Sequence, residues 1–241
     1  MTAYFNARVE NADGFAPVTP AGIARPRSAA LAANPDIRQR GIYRNRAKRV
    51  FDVLMILAAL PVVLPVVLLL ALLTRHDGGP AFYSQLRVGR GGRLFTMWKL
   101  RSMVVEAECK LEAHLAANPA ARAEWDSTQK LKCDPRTTRF GRLLRKSSMD
   151  ELPQLWNVLA GDMSLVGPRP MMPEQKSIYP GTAYFALRPG ITGNWQVSKR
   201  NDSTFADRAV FDDHYDQSLS FGADLKLLLA TIRVVLHGTG H

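Results

Sequence analysis

The most constraining feature of the chain is the run VLMILAALPVVLPVVLLLALL, Val53–Leu73, which carries no charge over 21 residues. At ~1.5 Å per residue a straight helix of that length just crosses a hydrocarbon core of roughly 30 Å. A buried core helix is the alternative, but an uncharged apolar run of ~18 residues or more favours a membrane. Pro61 and Pro65 sit in its middle, where proline removes a backbone hydrogen bond and bends or breaks a helix. Both flanks are basic: Arg38, Arg40, Arg44, Arg46, Lys48 and Arg49 precede it, and Arg75, Arg87, Arg90, Arg93, Lys99 and Arg101 follow. Positive residues beside membrane segments stay cytoplasmic. With both ends held inside, a re-entrant, proline-broken membrane helix is expected in preference to a span.

The net charge of +11 over 241 residues asks for an anionic partner: nucleic acid, anionic lipid or a phosphorylated substrate. Residues 36–49 could bind nucleic acid, but their place against the apolar run favours inner-leaflet anionic lipid. No nucleic-acid-binding motif is present, so no nucleic-acid partner is expected. Cys109 and Cys133 show no metal-type spacing and suit a reducing cytosol. The five histidines form no ligand-spaced cluster, so no zinc site is expected. Residues 1–35 lack periodicity and read as a disordered tail without a signal peptide. The expected order is therefore a tail (1–35), a basic juxtamembrane segment (36–49), the membrane helix (50–74) and a cytoplasmic catalytic domain (75–241).

Residues 81–103 read as a hairpin of two aromatic-rich runs around Gly89, Gly91 and Gly92. A glycine turn is the simpler account of these glycines, and a phosphate cradle the other. Alternation puts Lys99 and Arg101 on one face. Residues 104–130 read as a solvated helical region interrupted at Asn118-Pro119. Arg139, Arg142, Arg145 and Lys146 then follow helical spacing and form a positive stripe. The fold class that results is α+β, mainly helical with a small sheet or hairpin, in a monotopic membrane protein.

The stripe leads directly to SSMDELPQLWNVLAGDMSLVGPRP, residues 147–170. Leu152, Leu155, Trp156 and Leu159 repeat at helical spacing up to Gly161, with Pro153 in the first turn. Acids at that position have a structural explanation: Asp150 as N-cap and Glu151 complementing the helix dipole. A capping box from Ser148 to Glu151 is a less favoured variant. Capping does not explain the neighbouring Arg145 or the Pro168-Arg169-Pro170 element. A helix N-terminus suits phosphate, and Lys99, Arg145 and Arg169 would add full charges around a pyrophosphate. One carboxylate is a competent nucleophile in phosphoryl transfer, and its neighbour can hold Mg²⁺ shared with substrate phosphates. Residues 188–200, RPGITGNWQVSKR, read as a loop that either turns or lines the site with Arg188. Near the C-terminus, Leu225, Leu228, Leu229, Ile232, Val235 and Leu236 form a stripe that lies on the bilayer or, slightly preferred, packs on the domain.

Lys48-Arg49…Asp52, FTMWKLRSM, DPRTTRFGRLLRKSSMDELPQLWNVLAGDMSLVGPRP, RPGITGNWQVSKRND and DHYDQSLSF…DLKLLLATI together resemble the bacterial sugar transferases. These are the monotopic polyprenyl-phosphate phosphoglycosyl transferases, and the resemblance, over about residues 46–241, is to the short, exopolysaccharide-synthesis type. It implies a ping-pong reaction at the cytoplasmic face of the bacterial inner membrane. Asp150 would attack the β-phosphorus of a UDP-sugar, release UMP and pass the sugar phosphate, of galactose or glucose type, to undecaprenyl phosphate. Glu151 matches the Mg²⁺-associated acid. Lys99, Arg145 and Arg169 match phosphate-contacting positions, and Pro168 and Pro170 an element near the nucleotide. Where many members have Ser-Pro at the membrane break, this chain has Leu64-Pro65. A homodimer is left open.

Overall fold

The computed structural model describes residues 41–128, 131, 133–198 and 205–236. The expected tail, with Arg38 and Arg40, lies outside them. A wide helical turn at Tyr43–Ala47 leads into α1, Lys48–Arg75. The stretch Tyr43–Arg75 is long and apolar enough to cross a membrane. α1 continues through Pro61 and Pro65, so the expected break is not a break in secondary structure. A proline inside a helix removes one hydrogen bond and bends the axis without having to end it.

Only the ends of α1 are buried. Ile56 packs with Phe95, Met97, Val158 and Met163, while Leu70 and Ala71 pack with Ala81, Leu100 and Leu144. Leu57, Val62 and Leu64 between them are exposed. Polar contacts fix the same two ends. Near the start, Lys48 Nζ lies 2.5 Å from Asp224 Oδ2, Arg49 donates to the carbonyls of Val158 and Leu159, and Asp52 accepts from Ser164 Oγ at 2.7 Å. At the far end Arg101 donates to the Thr74 carbonyl and to Asp77. Lys48, Arg49 and Arg44, which pairs with Asp216, thus serve internal partners, although the sequence reading placed them in a lipid-facing run.

The hairpin forms as expected: β1, Phe82–Val88, pairs antiparallel with β2, Leu94–Leu100, from Phe82↔Leu100 to Val88↔Leu94. Gly91 (φ 69°) and Gly92 (φ 78°) occupy left-handed conformations in the connection, which glycine adopts at no steric cost. Then come α2, Ala107–Ala117, and α3, Pro119–Thr128, separated at Asn118 as expected. α4, Arg139–Lys146, starts at Thr138, whose hydroxyl accepts from Gly141 N at 2.8 Å. A Cβ on Gly141 would lie 1.9 Å from the Ser102 carbonyl oxygen, so only glycine lets α4 approach the end of the hairpin this closely.

α5, Gln154–Ala160, ends at Gly161 with φ 95°. It is followed by β3, Ser164–Val166, α6, Ala183–Ala186, β4, Gly190–Thr192, and α7, Asn194–Ser198. β3 and β4 pair in parallel, so the described part of 188–200 is a strand and a short helix, where a loop was expected. Three-residue strands have too few positions to show alternation. α8, Arg208–Ser218, and α9, Phe221–Leu236, complete the described chain. α9 packs through Asp224 and Leu227, with Thr231 bonded to Thr192. Most of the apolar stripe expected to pack instead stays exposed: Leu225, Leu229, Ile232 and Val235.

Candidate active site

Asp150 and Glu151 lie in a 3₁₀ turn, Met149–Glu151, entered through Ser148 at φ 56°. No side-chain cap forms at Ser148, and Pro153 is the residue that precedes α5. The expected N-cap role of Asp150 and the capping box are therefore both replaced. The prolyl ring sets the helix start at Pro153, which frees the two acids from capping.

The acids point to the hairpin. Lys99 Nζ lies 2.7 Å from Glu151 Oε1 and 3.6 Å from Asp150 Oδ2. Their spacing is fixed by Asn157, which is almost fully buried. Its Oδ1 accepts from Trp98 N at 3.1 Å and its Nδ2 donates to the Thr96 carbonyl at 2.7 Å. A side-chain amide on α5 thus imitates a neighbouring strand and docks the helix onto β2 beside Lys99.

Asp150 is buried, and burial pushes its carboxyl above the ordinary range. Lys99 pulls it down, Glu151 raises it and Arg145 lowers it. Arg145 is the one member of the positive stripe that turns inward. Its Nε donates to Ser102 Oγ at 2.8 Å, while Arg139, Arg142 and Lys146 stay exposed.

Beside the dyad opens a small cleft lined by Arg87, Met97, Lys99, Glu151, Gln154, Arg169, Pro170, Gly190 and Ile191. Of the expected binding residues, Lys99, Arg169 and Pro170 line it directly. The Pro168 carbonyl accepts from Gly190 N at 2.8 Å and joins the cleft's two walls. Arg188 turns elsewhere: its Nε donates to the Gly161 carbonyl at 3.0 Å. Arg101 also departs from Lys99, because its guanidinium closes the end of α1.

Gln154 and Arg208 are not singled out by the sequence, which marks Arg87 only as part of the basic flank of the apolar run. Arg87 pairs with Phe95 in the hairpin register, which puts it on the same face as Lys99. That register was readable in principle. Gln154 is buried at the cleft, three residues after Glu151. Arg208 reaches the site only through tertiary packing.

Among the described residues no group of three or more His, Cys, Asp or Glu could hold a metal by itself. Two adjacent carboxylates in a cation-lined cleft are nevertheless a fitting donor set for a magnesium ion that takes its remaining ligands from substrate phosphates and water.

A largely buried carboxylate pair held by Lys99, beside a cleft lined by Arg87 and Arg169, is an arrangement suited to anionic groups. The chain belongs to the bacterial sugar transferase family, whose model matches residues 43–238. It is 48% identical over 195 residues to the UDP-galactose-lipid carrier transferase of Erwinia amylovora, covering 80% of this chain and 41% of that protein. It is 45% identical over 197 residues to the exopolysaccharide production protein ExoY of Sinorhizobium fredii, covering 80% and 87% of the two chains. The UDP-glucose:undecaprenyl-phosphate glucose-1-phosphate transferase of Caulobacter vibrioides is 38% identical over 200 residues, covering 78% and 69%. The matched part spans less than half the length of some of these relatives, the first among them.

Proposed function

We propose that the protein is a phosphoglycosyl transferase that moves a sugar 1-phosphate, of galactose or glucose type, from a UDP-sugar to undecaprenyl phosphate at the start of exopolysaccharide assembly. The observation that carries this reading is the Asp150–Glu151–Lys99 cluster opening onto an arginine-lined cleft. The relatives' names supply the substrate class.

In the first half-reaction an Asp150 carboxylate oxygen bonds to the β-phosphorus. The bond from that phosphorus to the α,β-bridging oxygen breaks, and UMP leaves with the oxygen. In the second, a phosphate oxygen of undecaprenyl phosphate bonds to the same phosphorus and the Asp150 carboxylate is released. Lys99 and Arg145 keep Asp150 ionised against its burial and neutralise charge on the transferring phosphoryl group. Arg169 binds the diphosphate, with Pro168 and Pro170 shaping the wall. Glu151 would hold Mg²⁺, which when bound neutralises the pyrophosphate so that an anionic nucleophile can approach.

The same reading includes a monotopic, re-entrant anchor at the cytoplasmic face of the inner membrane. Both ends of α1 are bonded to one catalytic body, while its proline-containing middle is exposed and apolar. A span would carry one end away from that body. The deciding experiment combines purified protein, undecaprenyl phosphate and a panel of UDP-sugars, with UMP release as readout. Release only with a UDP-sugar supports the reading, and no release with any donor refutes it.

A further inference from the structure

Beyond the dyad, three arginines converge: Arg87, Arg169 and Arg208. Arg87 donates through Nη1 to the Pro170 carbonyl at 3.3 Å, next to Arg169. The Arg169 and Arg208 guanidinium groups lie 5.9 Å and 4.3 Å from the centre of one ring, that of Trp195. Arg208 also lies 4.7 Å from the Phe205 ring. The Nε atoms of both Arg87 and Arg208 are buried with no hydrogen-bond partner among the described residues. A buried donor without a partner is costly and rare, and two such donors on neighbouring cations are costlier still. The principal acid beside them, Asp212, is buried and takes the Tyr179 hydroxyl at 2.7 Å. Burial above all, with Arg169 and Arg87 adding to it and Asp212 opposing, pushes the Arg208 guanidinium down to about 10.

The Trp195 face holds Arg169 and Arg208 and leaves N–H groups for an anion, while Arg87 is held by the Pro170 carbonyl and Gln85 Oε1; a phosphate oxygen matches the guanidinium fork. Arg87 and Arg169 line the same cleft as Lys99 and Glu151. A diphosphate with one phosphorus at Asp150 therefore extends its other phosphate toward this group. We propose that Arg208, with Arg87 and Arg169, forms a second phosphate site that takes the nucleotide-side phosphate of the donor, while Lys99 and Arg145 serve the phosphate under attack. The proposal rests on the UDP-sugar reading given above for its ligand, and on the arginine cluster for its location. Arg208 is a specificity residue in this scheme: it separates nucleotides from nucleosides without touching the reacting phosphorus.

The test compares UMP with uridine as ligands of the full-length protein, by calorimetry at fixed ionic strength. A charge-assisted phosphate contact is worth roughly one to two decades of affinity, so wild type is expected to bind UMP at least about tenfold more tightly than uridine. Arg208→Gln should shrink that gap by about tenfold and leave uridine within about twofold, and Arg208→Lys should restore part of it. A folded Arg208→Gln protein with the gap unchanged overturns the proposal, as does an equal loss for uridine and UMP. Should Arg208→Gln not fold, Arg87→Gln is read the same way. A wild-type protein that binds UMP no better than uridine overturns the proposal without any variant. Failure of the parent reading looks different: a triad-dependent UMP gap with no UMP release from any UDP-sugar leaves the anion site standing and removes the transferase.

Discussion

Replacing Lys99 by Met tests the electrostatics of the dyad most directly. Its ammonium is the nearest cation to both acids, at 2.7 Å from Glu151 and 3.6 Å from Asp150. At an effective dielectric of about 20, a 3.6 Å pair is attracted by about 4–5 kcal/mol. The Lys99 side chain is 21% exposed, so water screens part of this, and a charge-assisted contact retains about 1.5–3 kcal/mol. Losing that contact disfavours the ionised form of Asp150 relative to the protonated one. Burial already raises that carboxyl, and Lys99 is the largest influence lowering it. Attack requires the ionised form. The acid limb of kcat/KM should therefore move to higher pH in Lys99→Met, and Lys99→Arg should return most of it. The assay is UMP release across the acid-to-neutral range, with thermal unfolding as a check on folding. A folded Lys99→Met enzyme whose acid limb stays in place would refute the reasoning, even if its rate fell.

Asp150→Asn should keep the fold yet yield no sugar-phosphate adduct when enzyme and UDP-sugar are mixed without lipid acceptor; intact-protein mass spectrometry after rapid quench reads this, and an adduct in the variant would move the nucleophile elsewhere. Asp224→Ala should lower stability by about 3–5 kcal/mol, because it strands the buried Lys48 ammonium, and denaturant unfolding in detergent measures it. Burial pushes the Asp212 carboxyl up to about 7, against the pull of Tyr179 and Arg208, so its contribution is fully present below about pH 4 and is lost as pH rises through about 7. Asp212→Asn should accordingly remove a decline of up to about 1.4 kcal/mol per pH unit in that window, and equal slopes in the two proteins would count against it. With Cys109 and Cys133 replaced, single cysteines at Gly41 and Ser177 should both resist a membrane-impermeant reagent in intact cells; labelling of one alone would mean a span.

Local signals carried much of the architecture. The uncharged run, the glycine-centred hairpin and the Asn118-Pro119 interruption are encoded by neighbours in sequence, and all three appear in the structure. The acids were legible as a site because capping could not account for the basic residues around them. Their backbone was not, since a 3₁₀ turn and an N-cap use the same residues and Pro153 decides between them. The β3–β4 pair was hidden by its length. Arg208 was hidden because nothing within its own helix marks it, and its partners Trp195 and Arg169 arrive from separate elements. The basic run before α1 was misjudged in part for the same reason: Asp224 and Asp216, which neutralise Lys48 and Arg44, lie at the other end of the chain.

Those long-range pairs bear on catalysis as well as on folding. Arg49, the second residue of α1, holds the Val158 and Leu159 carbonyls of α5. Asn157 holds α5 to β2, and the dyad turn leads directly into α5. At the far end of α1, Arg101 grips Thr74 and Asp77, and the next residue, Ser102, positions Arg145. Each end of the apolar helix is thus joined by a short series of hydrogen bonds to a different member of the site: the start to the acids, the end to a cation beside them. In a membrane-anchored transferase, the depth at which α1 sits would then fix the height of Asp150 above the bilayer. A lipid phosphate is confined to that surface, and a nucleophile fixed at its height meets the acceptor without a search through solution. On that proposal the proline-containing middle of α1, which is exposed and apolar, would bend into the leaflet without disturbing either attachment.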